Sequence, residues 1–267
     1  MSEYRIGYKG QLQISTKACN LLTYPDEVFY TPPFKLTNFF RVAGGGIEYI
    51  IMNASAGLMA GDDLTMDIKI QSGSKLSLSS QSYEKVHKME NGFARRISNI
   101  VIAKDGYFCY NQLPVIPYCD SALINQTNIH LENLRSKLIL SEIIISGRIA
   151  RNEIFKYNYY HNLINVFCDS KLSYRDNCYL SPAHMDLCNF GFYENYSHMG
   201  MMLIYGFSAH ILAAIELIIQ NSKTDSGITE LLNNGYLIRA FANNAETLTN
   251  LFSRITIQLN SHLLSIE

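Results

Sequence analysis

The segment Asp63–Ser80, DLTMDIKIQSGSKLSLSS, decides the fold class of this 267-residue chain. Apolar residues stand at every second position on both sides of a polar turn at Gln71–Ser74. They are Leu64, Met66, Ile68 and Ile70 before the turn and Leu76 and Leu78 after it. This period of two is typical of a strand that buries one face and leaves the other in water. The segment therefore predicts two consecutive strands and, with 18 Tyr and 13 Phe in the chain, a mainly β protein.

Strand patterns flank turn signals farther along the chain. The dipeptide Asp105-Gly106 separates two apolar runs, and Asp-Gly is the favoured signal of a two-residue hairpin. Asp169-Ser170 marks a second short turn between apolar runs. We therefore expect mostly antiparallel strands from about residue 5 to about residue 205.

Helical spacing appears only near the C-terminus. Ser208 is a candidate N-cap for a helix over residues 208–221. Asn243, three residues before Glu246, is a candidate cap for a helix over residues 244–264. The second helix carries an apolar stripe at spacings of three and four, formed by Leu248, Leu251, Phe252, Ile255, Leu259 and Leu263. Such a stripe indicates either packing against the sheet or a partner-binding face.

These patterns together predict the fold class. We expect a mainly β protein, a large antiparallel or mixed β-sheet scaffold with two C-terminal α-helices. The whole chain, residues 1–267, is expected to form a single domain.

Composition argues against several classes of protein. The net charge of −1 argues against a nucleic-acid binder, since such proteins usually carry a basic excess. The polar segment Met1–Lys9 lacks signal-peptide character, and the longest apolar stretch, Ile211–Ile219, is too short to span a bilayer. The six Cys form no C-x-x-C pair. We expect a cytoplasmic protein with reduced thiols and with no membrane or nucleic-acid partner.

The segment Ser141–Glu153, SEIIISGRIARNE, places charged residues beside an apolar strand. An unpaired carboxylate removed from water costs several kcal/mol, so Glu142 needs a partner. Two interpretations stay open: an ion pair between Glu142 and Arg148 that stabilises the core, or a polar path through the core. Glu142 and Glu153 could also serve acid–base chemistry, although the chain has none of the common nucleophile or phosphate-binding motifs.

Five blocks of the sequence, in order, resemble the UreD family of urease accessory proteins, called UreH in one branch. The blocks are TPPFKL at Thr31–Leu36, ASAGLMAGD at Ala54–Asp62, SSQSYEK at Ser79–Lys85, the pattern E-x-x-x-x-G-R-x-x-x-x-E at Glu142–Glu153, and GYLIRAFA at Gly235–Ala242. Three features depart from the family pattern, and one of them is Ser79-Ser80, which stands where the family has Thr-Thr. Ala60 stands where the family has Gly, and Thr65 replaces a carboxylate often found three residues after Asp62.

The resemblance implies a urease maturation factor, a scaffold and metallochaperone that is not an enzyme. It implies a UreF-like helical partner in a two-plus-two heterotetramer and a UreG-like GTPase that this complex recruits. Apo-urease would be the recipient of the delivered nickel. No cofactor would be bound permanently, because nickel would only be in transit. The alternative from another class is a β-sandwich ligand-binding or hydrolytic domain that uses Glu142 and Glu153.

The resemblance also implies site residues. Asp62, Glu142 and Glu153 would be weak, spaced oxygen ligands along a nickel path, because thiolates or clustered imidazoles would release Ni²⁺ too slowly. The polar path would further involve Gln81, Lys85, Arg148 and Arg239. The partner-binding face would be formed by Leu248, Leu251, Phe252, Ile255 and Leu259.

Overall fold

The computed structural model describes residues 7–266 of the chain. Strand accounts for 52% of the structure and helix for 15%, which confirms the predicted mainly β class with two C-terminal helices. Most of the segment Met1–Lys9 lies outside the described residues.

The strands are β1 (Lys9–Cys19), β2 (Leu22–Tyr30), β3 (Phe34–Leu36), β4 (Phe40–Arg41), β5 (Ile47–Asn53), β6 (Asp63–Ile70), β7 (Lys75–Ser80), β8 (Glu84–Val86), β9 (Ala94–Ile102), β10 (Tyr107–Asn111), β11 (Val115–Pro117), β12 (Ala122–Leu131), β13 (Lys137–Ile145), β14 (Gly147–Arg148), β15 (Glu153–Ile154), β16 (Tyr159–Cys168), β17 (Lys171–Leu180), β18 (His198–Tyr205), β19 (Asp225–Leu231) and β20 (Gly235–Ala242). The α-helices are α1 (Leu212–Gln220) and α2 (Ala245–Ile266).

Two large sheets organise these strands. The seven-stranded sheet has the order β17-β16-β12-β9-β6-β1-β2, and the eleven-stranded sheet follows the path β19-β20-β18-β13-β10-β7-β5-β3. From β5 to β16 the chain passes repeatedly from one sheet to the other. Neighbouring strands within each sheet therefore run parallel, with β6, β9, β12 and β16 in one sheet and β5, β7, β10 and β13 in the other. The sheets are mixed, because antiparallel strands flank both parallel sets.

The expectation of mostly antiparallel strands is therefore wrong. Alternation with a period of two records that one face of a strand is buried, and it carries no information on the direction of the neighbouring strand. Asp105-Gly106 does reverse the chain, with φ of 60° at Asp105, but it joins β9 and β10 in different sheets and closes no hairpin. The turn at Asp169-Ser170 does close an antiparallel hairpin, between β16 and β17.

Two apolar layers stabilise this arrangement. The first lies between the two sheets and includes Leu64, Ile100 and Ile164 from the seven-stranded sheet and Leu78 and Leu140 from the eleven-stranded one. The second lies between the eleven-stranded sheet and the helices. Burial of these side chains supplies most of the driving force for the layered fold.

Both helices lie close to their predicted positions, but their caps differ from the prediction. The Oδ1 atom of Asn244, one residue after the expected cap Asn243, accepts a hydrogen bond from the backbone N–H of Thr247 at 2.8 Å. Ser208 makes no capping hydrogen bond, and its hydroxyl lies 3.2 Å from Nε2 of His262. Within residues 7–266, no helix is both long and apolar enough to cross a membrane.

The apolar stripe of α2 packs on the sheet, so the prediction that it forms a partner-binding face is wrong. Its buried members are Leu248, Leu251, Phe252, Ile255 and Leu259. The close approach depends on Gly200 in β18, where a Cβ atom would lie only 2.8 Å from the ring of Phe252. The side chains of the stripe are therefore part of the chain's own core, and the exposed side of α2 carries other residues, such as Ile257.

Candidate functional site

Three polar residues lie side by side on the inner face of the seven-stranded sheet. Arg96 in β9 pairs in register with Asn125 in β12, and Asn125 pairs with Asn162 in β16. All three are buried. Each stands six positions before the last residue of its strand, at a position where the alternation otherwise places apolar side chains. These three residues were not predicted as site residues, and their shared offset is the sequence signal that could have identified them.

Glu142 reaches these residues from the facing sheet. Its Oε2 accepts a hydrogen bond from Nδ2 of Asn162 at 2.6 Å, and its Oε1 accepts one from Nε2 of Gln112 at 3.2 Å. A longer contact of 3.5 Å joins Oε1 to Nδ2 of Asn125. We call the set Arg96, Gln112, Asn125, Glu142 and Asn162 the polar row. The row crosses the apolar layer between the sheets and gives the buried carboxylate the hydrogen bonds that it requires.

Within the row, the polar groups are joined directly. Nε of Arg96 donates to Oδ1 of Asn125 at 2.9 Å, and Nδ2 of Asn125 donates to Oδ1 of Asn162 at 2.7 Å. Nη2 of Arg96 also donates to Oε1 of Gln112, over a longer distance of 3.4 Å. The amide groups therefore connect the guanidinium at one end with the carboxylate of Glu142.

Two carboxylates lie on either side of one guanidinium. Nη1 of Arg96 is 3.7 Å from Oε2 of Glu84, while the Glu142 carboxylate lies beyond the amides. Burial raises the pKa of Glu84 and of Glu142, and the charge of Arg96 opposes this rise at both. Burial alone would lower the pKa of Arg96, yet the two carboxylates raise it, so this residue carries a fixed positive charge.

The polar row lies between two small cavities. One, of about 40 Å³, is lined by Glu84, Arg96 and Gln112, and the other, of about 30 Å³, is lined by Glu142, Asn162 and the Asp176–Arg239 ion pair. The side chain of Glu84 is 20% exposed and that of Arg239 is 42% exposed. The Asp176–Arg239 pair itself is joined at 2.6 Å. A nearly continuous line of polar groups therefore runs from one partly exposed end through the core to the other.

Buried hydroxyls lie close to the Glu142 end of this line. The charge of Glu142 raises the pKa of Tyr160, after the larger effect of burial, and Tyr160 in turn interacts electrostatically with Tyr157. The hydroxyls of Tyr157 and Tyr193 have no hydrogen-bond partner among the described residues. Unpaired hydroxyls at this depth are groups that ordered water or a hydrated cation would satisfy.

Glu153 and Arg148, both predicted as site residues, lie apart from the polar row. Nε of Arg148 donates to Oε2 of Glu153 at 2.7 Å across the hairpin β14–β15, and the N–H of Cys119 donates to the same oxygen at 3.3 Å. The predicted ion pair between Glu142 and Arg148 is therefore wrong. Because Glu142 and Glu153 share no hydrogen-bond partner, the structure also gives no support to an acid–base pair formed by these two residues.

The remaining predicted site residues divide between the two ends and the surface. Asp62 is buried, and its two carboxylate oxygens accept the backbone N–H groups of Tyr8 at 2.7 Å and Met59 at 2.8 Å. Its charge contributes to the raised pKa of Glu84, so it lies near that end of the row. Gln81 and Lys85 are exposed, and their side chains form no hydrogen bond with a member of the row. Arg239 lies at the opposite end, where it pairs with Asp176.

The possible metal ligands along the polar row are almost all oxygen atoms of carboxylates and amides. Within residues 7–266, no group of three or more His, Cys, Asp or Glu side chains is placed to hold a metal ion together. All six Cys are free, and Cys168, Cys178 and Cys188 form no metal cluster. Spaced oxygen ligands bind a divalent transition-metal ion weakly, so the row suits brief contact with a cation better than storage.

Comparison with known proteins gives a consistent assignment. The profile of the family described as "UreD urease accessory protein" matches residues 8–267. The urease accessory protein UreH of Helicobacter acinonychis is 34% identical over 230 residues, which cover 86% of this chain and 87% of that protein. The urease accessory protein UreD of Acetivibrio thermocellus is 28% identical over 255 residues, which cover 94% and 97% of the two chains. This chain therefore belongs to the UreD family of urease accessory proteins.

Proposed function

We propose that this protein is a urease maturation factor that passes Ni²⁺ along the polar row on its way to apo-urease. One observation carries the proposal: the line of polar groups that crosses the apolar layer from Glu84 to the Asp176–Arg239 pair. A buried polar line is costly to build, and an apolar core of the same shape would generally be at least as stable. A function that needs polar groups in the core explains its presence.

The chemistry of the line fits a cation that has to move. Glu84 and Glu142 offer carboxylate oxygens at two separate points, and the amides of Gln112, Asn125 and Asn162 offer carbonyl oxygens between them. Each is a weak ligand for Ni²⁺, and water would complete its coordination shell. The ion would therefore exchange from one oxygen group to the next without a deep binding minimum.

The same proposal includes the partners that the family resemblance implies. A UreF-like helical protein would bind this chain in a two-plus-two heterotetramer, and that complex would recruit a UreG-like GTPase and dock on apo-urease. Because the apolar stripe of α2 is buried, these partners would contact other, exposed surfaces of the chain. Nickel would be the cargo of the assembly and not a resident cofactor of this chain.

The substitution Glu142→Gln tests the nickel path. The amide keeps the shape of the side chain but binds Ni²⁺ more weakly than a carboxylate, so we expect urease activation to slow about tenfold, equivalent to about 1.4 kcal/mol on the barrier. The measurement is the rate at which apo-urease gains activity with the complete set of accessory proteins. Urea unfolding measures how far the variant is destabilised, because its N–H₂ group replaces an oxygen that accepts a hydrogen bond in the natural protein.

The matched control is Glu153→Gln, which removes a carboxylate from the Arg148 ion pair outside the row. The family resemblance predicts that Glu153 lies on the nickel path, whereas its position outside the row predicts activation at the natural rate. Activation by Glu142→Gln at the natural rate would contradict the path. Loss of folding or precipitation of Glu142→Gln would instead assign Glu142 a purely structural role.

A further inference from the structure

We propose that Arg96 is the gate of the polar row, and that its fixed positive charge prevents a divalent cation from settling between Glu84 and Glu142. This inference rests on the proposed function, since it assigns a role to a residue in the same line. Among the described residues, Arg96 is the only Lys or Arg that is buried. It lines the cavity at the Glu84 end, whereas the Glu142 end is lined by other residues.

The contacts of the guanidinium suit a group that moves. Its bond to Asn125 is a normal hydrogen bond of 2.9 Å, but its contacts with Gln112 at 3.4 Å and with Glu84 at 3.7 Å are long. One firm bond and two loose contacts hold the guanidinium between the cavities. A modest rotation of the guanidinium that keeps its hydrogen bond to Asn125 would therefore open a passage and leave the core packed.

The charges explain why the line does not store metal. Without Arg96, the partly exposed carboxylate of Glu84 and the buried carboxylate of Glu142 would have only neutral amides between them. Such a site attracts a divalent cation strongly, because the surroundings screen charge poorly. The guanidinium neutralises part of that attraction and repels the arriving ion. Passage then remains possible, because the guanidinium is the movable group, but the ion has no stable resting place beside it.

Neutral and charged substitutions at this position separate the gate from a structural role. We expect Arg96→Met in the full-length chain to bind Ni²⁺ about a hundredfold more tightly than the natural protein at pH 7.5. The measurement is isothermal titration with Ni²⁺ alone. Arg96→Lys keeps the charge and should bind Ni²⁺ as weakly as the natural protein. The double variant Arg96→Met with Glu142→Gln should lose the gain, since one of the two carboxylates is gone.

The results that would overturn the gate are specific. A folded Arg96→Met variant that binds Ni²⁺ no more tightly than the natural protein contradicts it, and so does an Arg96→Lys variant that binds as tightly as Arg96→Met. Should Arg96→Met fail to fold, Arg96→Gln replaces it, because an amide can still donate to Asn125 while it lacks the charge. Unchanged affinity in Arg96→Met together with slow activation by Glu142→Gln refutes the gate alone. Normal activation by Glu142→Gln refutes the proposed nickel path.

Discussion

His198 at the start of β18 makes the stability of this protein depend on pH. The side chain is 4% exposed, and burial lowers its pKa to about 4 from an ordinary value near 6.5. Between pH 6.5 and pH 4 the unfolded chain therefore binds a proton that the native state does not, so stability falls as the pH falls through this window. We expect this residue to lower the free energy of unfolding by about 2 kcal/mol between pH 7.5 and pH 5, measured with urea.

A second variant isolates this contribution. His198→Asn does not titrate and can still bond to the hydroxyl of Ser197, which lies 2.8 Å from Nδ1 of His198. Burial raises the pKa of Glu84 and Glu142, which adds stability on acidification in both proteins and cancels in the comparison. Equal losses of stability in the natural protein and the variant would contradict the prediction.

Single residues of the site were only partly predictable from the sequence. The charge at Glu142 stands out because it borders an apolar run, but its partners come from other strands and from the opposite sheet. Arg148 is only six positions away, yet Gly147, with φ of 140°, turns the chain into the separate hairpin β14–β15. Nearness in the sequence therefore suggested the wrong ion pair. The buried cation, Arg96, was detectable only by aligning the ends of several strands.

At the scale of elements, the cap of α2 offers a comparison between two adjacent asparagines. Asn244 accepts hydrogen bonds from the N–H and the hydroxyl of Thr247, whereas the side chain of Asn243 makes no capping bond in the structure. We expect Asn244→Ala to lower the free energy of unfolding by about 1 kcal/mol. Asn243→Ala should change it by less than about 0.5 kcal/mol, as at other exposed positions. Chemical denaturation of both variants decides between the two caps, and an equal or reversed effect would contradict this assignment.

Helices and strands were more predictable than their arrangement, for a physical reason. Spacings of three and four identify α2 because they are periods of one helix, and a period of two likewise identifies β6 and β7 individually. The direction of a neighbouring strand depends on which distant segments meet in the core, and that information is absent from a local period. The Asp105-Gly106 turn illustrates this, since the same chemistry that often closes a hairpin here carries the chain from one sheet to the other.

At the scale of the whole molecule, one group of exposed apolar side chains lies on an edge strand of a sheet. Strand β2 pairs with β1 on one side and is the last strand of the seven-stranded sheet on the other. Several of its side chains are large, apolar and exposed, including Tyr24, Val28, Phe29 and Tyr30. An edge of this kind is a template for pairing with another chain. We therefore expect the chain to be poorly soluble without a partner, and this prediction rests on the exposed apolar side chains of β2.

A charge on this edge should improve the solubility of the isolated chain. We expect the natural protein to self-associate as its concentration rises and Phe29→Lys to do so less, because a lysine on an edge strand disfavours pairing with a second edge. Light scattering with size-exclusion chromatography measures the effect. Leu232→Lys is the matched control, since Leu232 is 67% exposed, against 46% for Phe29, but lies between β19 and β20 away from this edge. The control should behave as the natural protein does, and a UreF-like partner should reduce association of the natural chain. Equal improvement by both substitutions would mean that net charge, and not the β2 edge, controls solubility. A natural chain that stays monodisperse at high concentration would contradict the expected self-association itself.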